Sequence, residues 1–213
     1  MNLHDNLDFT NTHKSIEAVV IGCSVGGLNA LHALLRNLPN ELGIAIIICA
    51  HVAADAPGLL PHILNAWCHL PVTEAMEREP VLPGHVYVAP PNYHLLIEMD
   101  RYFSLSVDER VCYVRPAIDV LFTSAADVYG DRLLGVLLTG ANSDGTQGMK
   151  AIKAAGGTTL VQDPKTAEID TMPKAAIAMG VVDQVLPLSK ITNILLKITP
   201  KYCYKPVELT ELL

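Results

Sequence analysis

The sequence EAVVIGCSVGGLNALHALL, residues 17–35, decides the fold class of this chain. It begins with a β-branched run that ends at Gly22, which is typical of a buried strand. The residues Leu28, Leu31, Leu35 and Leu38 then recur at intervals of three and four, which predicts one face of a helix. A strand, a glycine turn and a helix form the first half of a β-α-β unit.

The rest of the chain repeats this alternation. Residues 44–49 are a short apolar run that predicts a second parallel strand, and His51 lies just past its end. Further strands are predicted at 72–76, 85–89, 133–138, 158–161 and 181–185, and residues 95–97 and 103–107 flank a turn. We therefore expect an α/β fold with a doubly wound, mostly parallel sheet, helices on both faces and an additional β-hairpin.

Composition limits both the domain count and the class of partner. The chain has 213 residues, of which 50% are hydrophobic and 17% charged, against roughly 25% charged in ordinary soluble domains. We expect a polar leader over residues 1–15, one domain over 16–198 and a C-terminal tail over 199–213. The net charge is −7 and the basic residues are scattered, which argues against nucleic-acid binding.

The sequence also predicts a cytoplasmic protein without membrane insertion. The longest apolar runs are far shorter than the roughly 20 residues that span a bilayer. Residues 1–15 are polar and lack the apolar core of a signal peptide.

The five cysteines, Cys23, Cys49, Cys68, Cys112 and Cys203, form no C-x-x-C pair. An odd number at irregular spacing predicts reduced, mostly buried thiols, with neither a disulfide framework nor a zinc site. No metal and no cofactor are expected.

Three segments place polar groups at predicted strand ends, where ligands bind in open parallel sheets. They are residues 22–27, residues 50–51 and residues 139–145. The first fits G-x-S-x-G, in which glycines allow a sharp turn that exposes Ser24 beside main-chain N–H donors. The alternative is that Ser24 caps the following helix. The G-x-G-x-x-G and G-K-[ST] patterns of nucleotide sites are missing.

A serine hydroxyl needs a base, and the base needs an orienting carboxylate. His51 at the second strand end is the candidate base, and Asp144 in a glycine-flanked turn is the candidate acid. Separately, His51 suits a partly buried structural histidine, and Asp144 suits an N-cap of the helix after it. The order Ser, His, Asp differs from that of the α/β-hydrolases, so the sequence points to another lineage of serine hydrolase.

Several ordered motifs carry a resemblance to a known family. They are residues 21–27, His51, 82–85, 89–90, 115–122, 138–140, 144–145, 148–149 and 172–173. Together they resemble the catalytic domain of the CheB-type chemotaxis protein-glutamate methylesterases, over about residues 16–198.

The resemblance implies hydrolysis of glutamate γ-methyl esters on the cytoplasmic helices of chemoreceptors, with release of methanol. In many members of the family it also implies deamidation of receptor glutamines. The family's nucleophile falls on Ser24, its base on His51 and its orienting acid on Asp144, in agreement with the triad inferred from the residues.

The oxyanion donors and the substrate contact are further expectations. The amide of Ala141 matches a family position credited with oxyanion binding, and the N–H of Val25 is a second candidate on physical grounds. Val25 stands where the family usually has threonine. Arg115 either faces the cleft, toward an acidic receptor surface, or forms a structural ion pair.

The usual family form carries an N-terminal receiver domain, whereas about 15 residues precede the first predicted strand here. We expect a stand-alone catalytic domain, an excised catalytic domain, or a relative controlled by a separate regulatory protein. The alternative function is a catalytically idle module of this type that binds a signalling partner.

Overall fold

The computed structural model describes residues 15–51 and 58–198. The predicted leader, apart from Ser15, and the predicted tail lie outside the described residues. The elements are β1 (Ala18–Cys23), α1 (Gly27–Leu35), β2 (Ala45–Ala50), α2 (Leu59–Asn65), β3 (Val72–Glu74), β4 (Val86–Val88), β5 (His94–Ile97), β6 (Phe103–Ser106), α3 (Ile118–Tyr129), a 3₁₀ turn (Gly130–Arg132), β7 (Leu133–Leu137), α4 (Thr146–Ala154), β8 (Thr158–Gln162), α5 (Thr171–Ala178), β9 (Gln184–Leu186) and α6 (Leu188–Lys197).

Seven strands form one parallel sheet in the order β3-β4-β2-β1-β7-β8-β9, and β5 and β6 pair separately as an antiparallel hairpin. Strand β1 lies at the centre, where Val20 faces Ile47 of β2 on one side and Gly135 of β7 on the other. The chain runs outward from β1 in one direction and later returns to its other side, which makes the end of β1 a topological switch point. The predicted fold class, including the hairpin, is confirmed.

Helices cover both faces of the sheet. On one face the core includes Leu121 of α3, Met149 of α4 and Met172 of α5. On the other face it includes Leu31 of α1 and Leu195 of α6. Strands buried on both faces need apolar residues at every position, which explains the continuous apolar runs of the sequence.

The ends of some elements differ from the sequence-based expectation. The last strand lies at Gln184–Leu186 instead of 181–185, and Val181 and Asp183 before it contact β8 through the Thr159 side chain and the Asp183 carboxylate. The Thr159 hydroxyl donates to the Val181 carbonyl at 2.8 Å, and the Asp183 carboxylate accepts from the Thr159 amide at 2.8 Å. Within the described ranges, no helix combines the length and apolar content needed to cross a bilayer.

The four cysteines among the described residues are free thiols. Cys23 and Cys49 are buried in the core and Cys68 is half-buried. Cys112 is exposed, so the expectation of mostly buried thiols is wrong for it: its residue lies in a loop, with φ 50°, rather than in an apolar element. Cys203 lies outside the described part of the chain.

Candidate active site

Three adjacent strands deliver the candidate residues to one edge of the sheet. Ser24 follows β1, His51 follows β2, and the loop 139–145 follows β7. The strand pairing continues into these loops, because the Ser24 amide donates to the Thr139 carbonyl at 2.9 Å and the His51 amide to the Cys23 carbonyl at 3.1 Å. Residues far apart in sequence are thereby held at one point by the sheet register.

His51 and Asp144 are joined by a hydrogen bond of 2.8 Å between Nε2 and Oδ2. The His51 side chain is 9% exposed and that of Asp144 is fully buried. An ionised carboxylate only accepts hydrogen bonds, so Nε2 carries the shared proton in this pair. The Nδ1 atom of a neutral imidazole is then left as the basic nitrogen.

Asp144 also holds the start of helix α3. Its carboxylate accepts hydrogen bonds from the amides of Ile118 at 2.7 Å, Asp119 at 2.9 Å and Gly145 at 2.9 Å. A negative charge at a helix N-terminus is favoured by unpaired N–H groups and by the helix dipole. The alternative interpretation of Asp144 as the N-cap of the next helix is wrong, because Gly145, with φ 93°, is the N-cap of α4 and has no side-chain cap.

Asp119 forms the reciprocal contact. It lies in the first turn of α3, and its carboxylate accepts a hydrogen bond of 2.7 Å from the Gly148 amide in the first turn of α4. Burial raises the pKa of Asp119 to about 6, and the neighbouring charge of Asp144 acts in the same direction. Sequence reasoning did not assign Asp119 a role, although the residue lies inside the motif 115–122.

Cys112 completes a cluster beside this pair. Its sulfur and carboxylate oxygens of Asp119 and Asp144 lie within 4.8 Å of one another, so the three groups are the potential metal ligands at this site. Each oxygen of Asp144 already accepts two N–H hydrogen bonds, which leaves no lone pair on that carboxylate for a metal. Partial desolvation of the sulfur and the charges of Asp144 and Asp119 raise the pKa of the Cys112 thiol.

Ser24 and His51 both line an open cleft of about 390 Å³. The interpretation of Ser24 as a helix cap is wrong, because Gly26, with φ 79°, is the N-cap of α1 and no side chain caps that helix. Gly140 lets the loop after β7 approach the serine closely. A Cβ at Gly140 would lie 3.0 Å from the Ser24 Cβ and 2.5 Å from the Met172 methyl carbon.

The two candidate oxyanion donors lie at the exposed rim of these loops. Val25 is 49% exposed, and its carbonyl is held by the Thr139 hydroxyl at 2.9 Å. Ala141 is also exposed. Within the described residues, neither the Val25 amide nor the Ala141 amide donates a hydrogen bond to the protein.

Arg115 does not line the cleft that contains Ser24. Its Nη1 atom donates to the carbonyls of Val107 and Asp108, which anchors the loop before α3. Among the described residues Arg115 forms no ion pair, and its buried Nε atom lacks a hydrogen-bond partner. The expected ion pair of Arg115 is therefore not formed among the described residues, because the guanidinium donates to backbone carbonyls instead. The expected contact of Arg115 with the substrate stays a prediction.

Comparison with known proteins gives consistent matches over the domain. The model of the CheB methylesterase family matches residues 19–195. A protein-glutamate methylesterase/protein-glutamine glutaminase of Leptospira interrogans is 53% identical over 182 residues, which cover 85% of this chain and 94% of that protein. A relative of the same name from Anaeromyxobacter dehalogenans is 41% identical over 184 residues, 86% of this chain and 54% of that protein.

The structural comparison agrees. The crystal structure of the Thermotoga maritima CheB methylesterase catalytic domain matches with a TM-score of 0.81 and 36% sequence identity. The match covers 87% of this chain and 100% of that chain. This chain spans about half the length of some curated relatives, including that of Symbiobacterium thermophilum at 48%. The extent of the family match and the identities to these relatives lead to one conclusion: the chain belongs to the CheB methylesterase family.

Proposed function

We propose that this chain is a serine esterase that hydrolyses γ-methyl esters of glutamate side chains in chemoreceptors, and that the same site deamidates receptor glutamines. The observation that carries the proposal is the 2.8 Å hydrogen bond between His51 and the buried Asp144, formed beside the cleft that Ser24 lines. A serine, a histidine and a buried carboxylate in this arrangement are the parts of an acyl-transfer site.

The reaction has two halves. His51 Nδ1 takes the proton of the Ser24 hydroxyl as its oxygen attacks the ester carbonyl, and the protonated histidine returns that proton to the leaving methanol. Water then attacks the glutamyl-serine ester with the same proton transfers, which releases the glutamate and restores Ser24. With a glutamine side chain the leaving group is ammonia. Asp144 holds the ring and stabilises the imidazolium that forms in each half.

The negative charge that develops on the carbonyl oxygen needs fixed donors. The N–H groups of Val25 and Ala141 supply them, since both lie at the ends of adjacent strands and are unused by the protein within the described residues. Removal of one such donor typically costs roughly 3 to 4 kcal/mol in the barrier.

The partners follow from the substrate. Methylated cytoplasmic helices of chemoreceptors are the proposed substrate, so the proposed compartment is the cytoplasm. A separate regulatory protein is the proposed route of control. Among the described helices none is able to cross a bilayer, in keeping with a protein that meets its receptor from the aqueous side.

The experiment measures methanol release from a methylated cytoplasmic receptor fragment. Ser24→Ala should lower the rate to the uncatalysed background, and Ser189→Ala, at an exposed position of α6, should retain the native rate. Loss of release in the first variant alone supports the proposal. Binding of the fragment without methanol release from the native chain would overturn it in favour of the idle binding module.

A further inference from the structure

The cleft contains an acidic side chain that sequence reasoning did not consider. The segment carrying Glu168 is fastened to the turn that carries Ser24 through Thr139. The Thr139 hydroxyl lies 2.9 Å from the Val25 carbonyl and 3.1 Å from the Ile169 carbonyl, and it accepts from the Ile169 amide at 2.9 Å. The hydrogen bonds of Thr139 to the backbone of Ile169, the next residue, therefore hold Glu168 at a defined distance from the turn that carries Ser24.

The Glu168 side chain lies across that turn. A Cβ added to Gly26 would lie 2.6 Å from the Glu168 Cβ and 2.8 Å from its Oε2 atom. Gly26 is two residues from Ser24, and Glu168, Gly26 and Ser24 all line the same cleft. The carboxylate is thus beside the space in which an ester bound at Ser24 must sit.

Among the described residues that line the cleft, no Lys or Arg side chain offsets the charge of Glu168. Glu168 is the one Asp, Glu, Lys or Arg side chain among the described residues that line the cleft, and Leu59, Leu60 and Ile63 add apolar surface to the same cleft. Within the described part of the chain its carboxylate takes part in no ion pair. An unpaired carboxylate next to apolar walls acts on whatever charge the substrate brings.

On the basis of the proposed function, we infer that Glu168 is a specificity-determining residue that selects against negative charge beside the scissile ester. Esters whose neighbouring side chains are cationic or neutral enter the cleft more readily than esters next to a carboxylate. The neutral ester becomes an anionic glutamate on hydrolysis, so Glu168 also disfavours rebinding of the product.

The test uses helical peptides of about 20 residues, each with one glutamate γ-methyl ester and, one helical turn away, either Lys, Gln or Glu. Methanol release gives kcat/KM for each peptide. The native chain should prefer the Lys peptide over the Glu peptide, and Glu168→Gln should reduce that preference by about two- to fivefold, the range expected for exposed charge pairs. Raising the ionic strength to about 1 M should reduce the native preference in the same way.

The matched control is Glu41→Gln, which removes the same charge from an exposed residue that precedes β2 and so lies at the opposite end of the strands. Glu41→Gln should leave the preference unchanged. An equal preference in the native chain and in Glu168→Gln would overturn the inference while the methylesterase activity itself stands. If the native chain hydrolyses none of the peptides and no receptor fragment, the proposed function fails and this inference fails with it.

Discussion

At the scale of single residues, Asp144 both orients His51 and satisfies the first amides of α3. In Asp144→Asn an NH₂ group replaces one carboxylate oxygen. An NH₂ group cannot accept hydrogen bonds, so the N–H donors that face it lose their acceptor. We expect turnover to fall by about 10⁴-fold and the free energy of unfolding to fall by about 1–3 kcal/mol. Methanol release and denaturant unfolding measure the two effects. The control is Asp127→Asn, at an exposed position of α3; a variant at Asp144 as stable as this control would contradict the capping role.

Asp119 gives a pH-dependent prediction at the same scale. Because burial raises its pKa to about 6, the folded protein binds a proton there at a pH where the unfolded chain has already lost it. The ionised, buried form costs stability, so the native protein should lose unfolding free energy relative to Asp119→Asn as the pH rises from about 4 to about 6, between the ordinary pKa of an aspartate and the raised pKa of Asp119. Denaturant unfolding of both proteins at each pH measures the difference. A difference that is constant with pH would show that Asp119 titrates as in the unfolded chain.

The sequence identified Ser24 and His51 because glycine turns and strand ends are local features. It gave no role to Glu168, because a lone acidic residue carries no local pattern that distinguishes a cleft wall from an ordinary surface. It gave none to Asp119 either, because the motif 115–122 does not show which distant amide that carboxylate contacts. The sequence also did not indicate the carbonyl partners of Arg115, because Val107 and Asp108 form no recognisable side-chain motif.

At the scale of elements, the close approach of α3 and α4 fixes the loop that carries Asp144. A Cβ at Gly148 would lie 2.4 Å from the Phe122 Cβ and 3.2 Å from the Asp119 Cα, so only glycine allows this approach. In Gly148→Ala the helices must separate. We expect a loss of about 1–3 kcal/mol of unfolding free energy from overpacking, together with reduced methanol release, because the Asp119–Gly148 hydrogen bond lengthens.

Thermal and denaturant unfolding measure the stability of Gly148→Ala, and Lys150→Ala at an exposed position of the same helix is the control. In an exposed helix, replacing glycine by alanine usually stabilises the protein by up to about 1 kcal/mol. A gain of that size at residue 148 would therefore show that the helix contact is not limiting.

At the scale of the whole molecule, the site rests on the most deeply buried strands. Every residue of β1, β2 and β7 is buried, whereas the edge strand β9 is only half-buried. Amide exchange in the central strands should require global unfolding, and exchange in β9 should occur by local opening at lower free energy. Hydrogen exchange followed by mass spectrometry over these strands measures both. Exchange of β9 as slow as that of β1 would contradict this order of stability.

The sequence by itself determined the fold class, the central strands and the segments that carry Ser24, His51 and Asp144, because apolar runs and glycine turns depend on neighbouring residues. The tertiary structure alone decided which groups meet. The sheet order β2-β1-β7 brings the three strand ends together, although Ser24 and Asp144 are 120 positions apart in the chain. Tertiary contacts likewise direct the Asp144 carboxylate to the first amides of α3 rather than those of α4, and they place the Glu168 side chain beside Gly26. Such contacts arise from register and packing between distant segments, and no local pattern of residues records them.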